Sequence, residues 1–508
     1  MNFRKFTAIG LACALAAAAF TGCGKKDGKS SEPDGKIEQT DYYNAQHEET
    51  GWEWGNVEIV GGGFVPNVIY NPTEEGLAYA RTDIGGAYKL NKDTNRWECI
   101  TDFIGGDDWN LMGIESIATD PVEPNRLYLA AGTYTTGSGA VLVSDDYGEN
   151  FMKVDLPFGN GGNEVGRGAG ERLQVDPNDN SIIYFGTRNA GLYRSVDYGR
   201  TWNKVESFPT DGGYTESGYS VGLTFVAFDK ASSESGNATK TIFVGAAKNS
   251  GNYIYRSDDA GETWNEIENP MSEKAQNNSR LKPVQGEVSS DGYLYTTWSY
   301  KVGPNEATQG AVQKYDIKEG KWEEITPDLI YTCGYSGLSV NPGDPQNIVV
   351  TTLCLWGVVD NVFVTYDGGK TWDSFWDPDT EEANYKIDIS ASEWLDWQGQ
   401  LKLGWWMTGV AINPFDPDEI MYGTGATIFG TDNLTKISSE PVNLSVRAMG
   451  IEETAIFDFV SPNYLDEDTP ELYSIMGDIY GFRHDDVSKA PKAVSYTHLR
   501  AHETEADL

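Results

Sequence analysis

The feature that most constrains this chain is a cassette, Ser/Thr-x-Asp-x-Gly-x-x-aromatic. It recurs as SDDYGENF at Ser144, SVDYGRTW at Ser195, SDDAGETW at Ser257 and TYDGGKTW at Thr365. An Asp can bond backbone N–H groups two residues on and Gly tolerates positive φ, so each octet reads as a tight hairpin turn whose aromatic pins it to the apolar layer beneath. A worn copy, YDIKEGKW, places Asp316 between Asp259 and Asp367. The cassette aspartates Asp146, Asp197, Asp259, Asp316 and Asp367 then stand 51, 62, 57 and 51 residues apart. A period of that size marks a repeat architecture.

Each cassette follows an Asx-Pro or similar turn and a short apolar strand, as in VDPNDNSIIYFG and VNPGDPQNIVVTT. Turn, strand, strand, Asp hairpin, strand makes one four-stranded blade, and eight such units fit between Val57 and Asp486. Short strands with regular turn signals and little helical periodicity predict an all-β chain of the β-propeller class. The count alone also permits one eight-bladed ring.

The 77 acidic against 38 basic residues give a net charge of −39, which argues against nucleic acid or anionic membrane surfaces as partners. The 57 Gly, 15 Trp and 28 Tyr suit an extracellular all-β protein rich in sugar-binding residue types, and the charge favours a neutral or cationic ligand. Arg4 and Lys5 precede an apolar run from Phe6 to Phe20 that is too short to span a bilayer and fits a signal peptide. Its FTGC ending resembles a bacterial lipobox, which would make Cys23 the lipidated first residue of the mature chain; membrane contact would then come only through that anchor. The polar stretch 24–50 reads as a flexible tether. Cys99, Cys333 and Cys354 form no disulfide framework or zinc pattern, and the four His lack metal-ligand spacing, so no metal or cofactor is expected.

Two units replace the usual turn with an acid. YARTDIGGAY at Tyr79 and YSIMGDIYGF at Tyr473 put Asp83 and Asp478, separated by 395 residues, at the same place in their blades. Two carboxyl groups across a cleft are what glycoside hydrolysis needs, one to protonate the leaving oxygen and one to activate water or attack the sugar. The competing reading is that each Asp merely holds its turn. Off-cassette aromatics that could stack on sugar faces are Trp109, Tyr134, Trp356, Trp405 and Trp406, whereas Trp202, Trp264, Trp322 and Trp372 occupy the repeat's own packing position.

The stretches GWEWGNVEIVGGGFV, YARTDIGGAYKL, NEVGRGAGERLQVDP, GWWMTGVAINPFDP, YGTGATIFGT, GIEETAIFDFVSP and GDIYGFRHDD, in this order from Gly51 to Asp486, resemble glycoside hydrolase family 74. That resemblance implies xyloglucan-cleaving chemistry on two seven-bladed propellers, by inversion, with Asp83 as general base and Asp478 as general acid. An inverting pair would stand roughly 6.5 to 9.5 Å apart, with Asp478 the more desolvated and Asp83 ionised and hydrogen-bonded. Tyr480 stands where the family pattern usually has a second Gly, which bears on the loop shape.

The domains expected are a lipoprotein signal (1–23), a tether (24–50), a first propeller (51–400), the start of a second, truncated one (401–492) and a non-native tail (493–508). The chain is expected to act as a monomer on xyloglucan or a related β-glucan. A non-catalytic glycan-binding surface lipoprotein of a polysaccharide uptake system is the rival reading. A sialidase is disfavoured, because the few Arg are scattered and no FRIP-like start occurs.

Overall fold

The computed structural model describes residues 36–38, 55–269, 281–355, 359–377, 380–399, 401–462 and 469–492. The signal segment with Cys23, the tail 493–508 and Trp356 lie outside them. Seven antiparallel four-stranded units, at 67–99, 114–156, 173–204, 223–267, 282–324, 334–374 and 410–446, follow one another in chain order. The first strand of each unit faces a central channel of about 340 Å³, lined among others by Asn67, Gln174, Gln285, Glu287, Ser339 and Val410. Each unit packs on the next, and 410–446 packs on both 334–374 and 67–99, closing a seven-bladed β-propeller.

Burial on both faces explains why these middle strands carry no charged side chain. Leu127–Ala131, Ile348–Leu353 and Val362–Thr365 are buried at every residue because each blade is sandwiched between two others. Where blades come closest, bulk on one side requires its absence on the other. A Cβ on Gly245 or Gly286 would come within 2.5 or 2.4 Å of the Phe225 ring, so this buried Phe needs a glycine on each flank.

The ring closes through apolar packing with a few bonds added. Val68, Ala78 and Ala80 of the first blade share one core with Val410, Ile412 and Ile420 of the seventh, and the N–H of Val65 donates to Thr424 O at 3.1 Å. Each fully buried aliphatic side chain contributes about 1.5–3 kcal/mol against about 1 for a hydrogen bond, so packing dominates the closure. The ring therefore runs to Val446, not to a boundary at residue 400. The unit 410–446 lacks the Asp cassette but supplies the apolar face that the first blade needs.

The eighth unit lies outside the ring. Ile456–Val460, Leu472–Met476 and Tyr480–His484 form a separate three-stranded sheet, joined to the segment before the first blade by Glu58 N–H to Val487 O at 3.0 Å and Gly61 N–H to Ile451 O at 2.8 Å. The eight-bladed alternative is thereby excluded. Within the expected tether, Lys36–Glu38 pairs antiparallel with the outer strand Asn150–Leu156, Ile37 standing opposite Phe151. An outermost strand offers unpaired backbone groups, which is why a nominally flexible segment adds there.

The cassettes are hairpins, with a bond pattern that differs from the expected one. Asp146 Oδ1 accepts from Ser144 Oγ and from the N–H of Asn150, four residues on rather than two. Ser144 Oγ accepts from the N–H of Gly148. Consecutive positive φ values at Tyr147 (60°) and Gly148 (87°) reverse the chain and bring that later N–H back over the carboxylate. Asp197, Asp259 and Asp367 repeat the bond to Thr201, Thr263 and Thr371. Only the worn copy bonds as expected, Asp316 accepting from Lys318 and Glu319. The aromatics Trp202, Trp264, Trp322 and Trp372 pack against the blade cores, as their register predicts.

Asp367 tests the electrostatics of the cassette. Desolvation opposes its charge, but the Thr371 N–H and hydroxyl and the Thr365 hydroxyl outweigh it and hold the carboxyl at about 2. A carboxyl depressed in the folded state stabilises above its unfolded value, about 3.9, and that contribution is lost as pH falls towards 2. The difference in Tm between the parent and Asp367→Asn should be full at about pH 5 and shrink towards pH 2. A difference independent of pH would show that the charge contributes nothing.

Candidate active site

Asp83 follows the strand Ala78–Arg81, in the turn leading to Ala87–Asn91. That turn is held by Thr82: its N–H and Oγ1 both donate to Gly86 O, and its Oγ1 accepts from the N–H of Gly85 at 2.9 Å. The third blade builds the same turn with Thr187 and Gly191, without an acid in the Asp83 place. Asp83 is thus not needed to hold its turn. Its carboxylate reaches away, where Oδ2 accepts from Arg167 Nε at 2.8 Å and the Glu453 carboxyl stands beside it.

Asp83 is only 6% exposed. Burial raises its carboxyl, while the charge of Arg167 and the bonds from Glu453 and Arg167 pull it back. Glu453, 2% exposed, is raised well above the usual range by burial and then by the negative charge of Asp83. Both carboxyls are thus raised, Glu453 the more strongly.

Arg167 is fixed by aromatics and by a buried network beneath it. Its guanidinium lies 5.1 Å from the Phe64 ring and 5.6 Å from the Trp406 ring, and those two rings meet edge to face at 5.5 Å. Its carbonyl accepts from Arg81 Nη1 at 3.1 Å, and Arg81 in turn pairs with Glu171 at 2.8 Å. Glu171 also accepts from Asn67, Ser116 and the N–H of Ile117. Beside it, Arg172 and Arg188 share Glu115, whose carboxyl is lowered because the two guanidinium charges outweigh the desolvation that would raise it.

Asp478 occupies the corresponding turn of the outlying sheet, between Leu472–Met476 and Tyr480–His484, with φ of +62°. It is exposed. The more desolvated carboxyl is therefore Asp83, the reverse of the expectation, because Asp83 is covered by Arg167 and Glu453 while Asp478 sits on an open turn. A left-handed conformation at a non-glycine residue stores strain of about 1–2 kcal/mol, which Asp tolerates better than most. The two turns are joined through one segment. Glu453 touches Asp83, and two residues on, Ala455 O accepts from the N–H of Gly477 at 2.8 Å, next to Asp478. Ile479 is buried, close to Gly62.

The aromatic candidates divide. Trp109 is 54% exposed on the short 3-10 helix Gly106–Met112, its ring 6.2 Å from that of Tyr134. Tyr134 Oη accepts from Asn163 Nδ2 at 3.0 Å, and Asn110 ties the surrounding loop by donating to Tyr134 O and Ser138 O. These rings share the Asp83 face, since a Cβ on Gly113 would lie 2.5 Å from Asp83 O and 2.7 Å from Thr133 Cα. Trp406 faces Arg167 and donates through Nε1 to Asn305 Oδ1 at 3.0 Å. Trp405 takes a packing position, half-buried with its indole against Gly425. The sequence reading missed Arg167, Glu453, Phe64 and Asn305. The first three sit in the Gly-rich and GIEETA stretches noted above, but only folding shows which of their side chains converge.

Among the described residues no group of three or more His, Cys, Asp or Glu is arranged to hold a metal ion. No family model matches the chain. Its sequence is 44% identical over 467 residues to a xyloglucanase from Paenibacillus sp, covering 87% of this chain and 44% of that protein. It is 45% identical over 471 residues to a xyloglucanase from Acetivibrio thermocellus, covering 87% and 54%. The solved glycoside hydrolase family 74 xyloglucanase from Xanthomonas campestris superposes with a TM-score of 0.79 at 37% identity, covering 87% of this chain and 61% of that one. The chain belongs to glycoside hydrolase family 74. The family 74 structure from Niastella koreensis matches similarly, with a TM-score of 0.76 at 32% identity, over 87% of this chain and 62% of that one. The chain spans about half the length of the relatives it matches.

The ion pair gives a direct test. Removing the positive charge while keeping a planar donor, Arg167→Gln, should raise the Asp83 carboxyl by about 1–3 pH units, read from its ¹³C chemical shift during a pH titration. An unchanged midpoint would mean that the two groups do not interact in solution.

Proposed function

We propose that this chain hydrolyses the β-1,4-glucan backbone of xyloglucan by inversion, with Asp83 as general base and Asp478 as general acid. The observation that carries the reading is the buried, Arg167-paired Asp83, whose turn is already held by Thr82 and whose carboxylate is left for chemistry. The names of the relatives support the substrate, since they are xyloglucanases.

In this mechanism Asp83 takes a proton from water as the water oxygen bonds to the anomeric carbon. Asp478 gives its proton to the departing glycosidic oxygen. Exposure of Asp478 in the unliganded chain means that the bound glycan must itself supply the desolvation that keeps an acid protonated. Trp109, Tyr134 and Trp406 would hold the neutral polymer by stacking on sugar faces. The proposal extends to location: Cys23 would carry a lipid that tethers the chain outside the cytoplasmic membrane. The exposure of Asp478 favours a second reading, a glycan-binding surface lipoprotein without turnover.

Reducing-sugar release from xyloglucan separates the two. Asp83→Asn and Asp478→Asn should each lower kcat by about 100-fold or more. An aryl glycoside with a good leaving group should rescue the Asp478 variant and leave the Asp83 variant slow. If both variants cleave as fast as the parent, the assignment fails; if the parent binds xyloglucan without cleaving it, the binding reading stands.

A further inference from the structure

We propose that Glu453 is a positioning residue for Asp83: it stays protonated at neutral pH, donates that proton to the Asp83 carboxylate, and leaves a single negative charge to meet the attacking water. The proposal rests on the reading of Asp83 as the base.

The geometry around Glu453 is built for a neutral acid. One oxygen, Oε1, accepts from the N–H of Ile84 at 3.2 Å. No N–H or O–H donor among the described residues reaches the other, Oε2, although it is fully buried. An ionised oxygen in that place would lose its water and gain no donor, whereas an O–H there can donate to Asp83. The room for the side chain comes from two glycines of the sequence stretches flanking the site. A Cβ on Gly63 would lie 2.6 Å from Glu453 Oε2, and one on Gly85 would lie 2.5 Å from Glu453 Cγ. Alanine at either position would push the acid off Asp83.

The charged and titratable groups facing the pair agree with one shared proton. Arg167 supplies a single positive charge on the Asp83 side. Tyr88 lies on the far side, its hydroxyl raised by burial and then by Cys99 and Glu453, and so neutral. Neighbouring Glu452 turns away, accepting from the N–H groups of Ile59 and Val60. Burial raises Glu452 to about 8. One cation facing two buried carboxyls balances one negative charge, and the second carboxyl keeps its proton. During turnover Asp83 takes the proton lost by water and Glu453 keeps its own. The pair is then neutral beside Arg167 until Asp83 releases its proton to solvent.

The test is a ¹³C titration of the full chain labelled at Asp and Glu carboxyl carbons. At about pH 7, where ordinary carboxyls are ionised, the Glu453 signal should remain at the protonated position, beside that of Glu452, raised by burial to about 8, and part of that of Glu287, raised to about 7. Glu453→Gln should remove the first of these signals and convert the two-step titration of Asp83 into one step. On xyloglucan, Glu453→Gln keeps a donor and should stay within about threefold of the parent, while Glu453→Ala should lose about tenfold or more in kcat with KM little changed. Ionisation by about pH 6 of the signal that Glu453→Gln removes, or an Asp83 titration unaffected by Glu453→Gln, would overturn the proposal. If Glu453→Gln does not fold, the same titration in Glu452→Gln combined with Glu287→Gln singles out the Glu453 signal. The titration needs no turnover, so full activity in Asp83→Asn would sink the base assignment and leave this measurement readable.

Discussion

The ion pair between Asp83 and Arg167 is the interaction on which the site depends. Burial pushes such a carboxyl towards its protonated form. Arg167 opposes that, and it is itself held against Phe64 and Trp406 with its backbone tied to Arg81. Breaking such a pair by removing one partner leaves an uncompensated buried charge, at a cost of about 3–5 kcal/mol. The geometry of Asp83 is thus written into residues from four separate stretches of chain.

The charges beneath it serve position more than stability. Arg81, Arg172 and Arg188 are almost wholly buried with Glu115 and Glu171. A buried pair gains little over well-packed apolar residues, since desolvation consumes the Coulomb attraction. What it provides is direction. Glu171 reaches Asn67, Ser116 and Ile117 together, linking three blades under the loop that carries Arg167. The seven-bladed ring supplies the rigid frame, and the loops of one face supply the chemistry.

Much of this was legible in the sequence, because the repeat is a local code. Ser or Thr, Asp and Gly at fixed offsets specify a hairpin wherever they occur, and the blades follow from their spacing. Asp83 stood out because its unit, like that of Asp478, puts an acid where the other units do not. The seventh blade was harder, since 410–446 lacks the cassette and is defined by the apolar face it shares with Val68 and Ala80. Arg167 and Glu453 were beyond reach. Arg167 lies 84 residues from Asp83, and Glu453 lies 369 residues from Ile84, the residue of the Asp83 turn from whose N–H it accepts. Nothing in local periodicity distinguishes them from solvent-facing charges. The three-stranded sheet beyond the ring carries Ile456, Phe457, Phe459 and Val460 on exposed positions. Its sequence reads as a blade because the strands form, but a pattern of residues does not tell which neighbour a strand will have.

The stereochemistry of the first product tests the account most directly. If Asp83 activates water on the face opposite the leaving oxygen, proton NMR of xyloglucan during the first turnovers will show new reducing ends as the α anomer, relaxing later to the equilibrium mixture. Initial appearance of the β anomer would mean that a carboxylate attacks the sugar itself, and the role assigned to Asp83 and its two partners would be wrong.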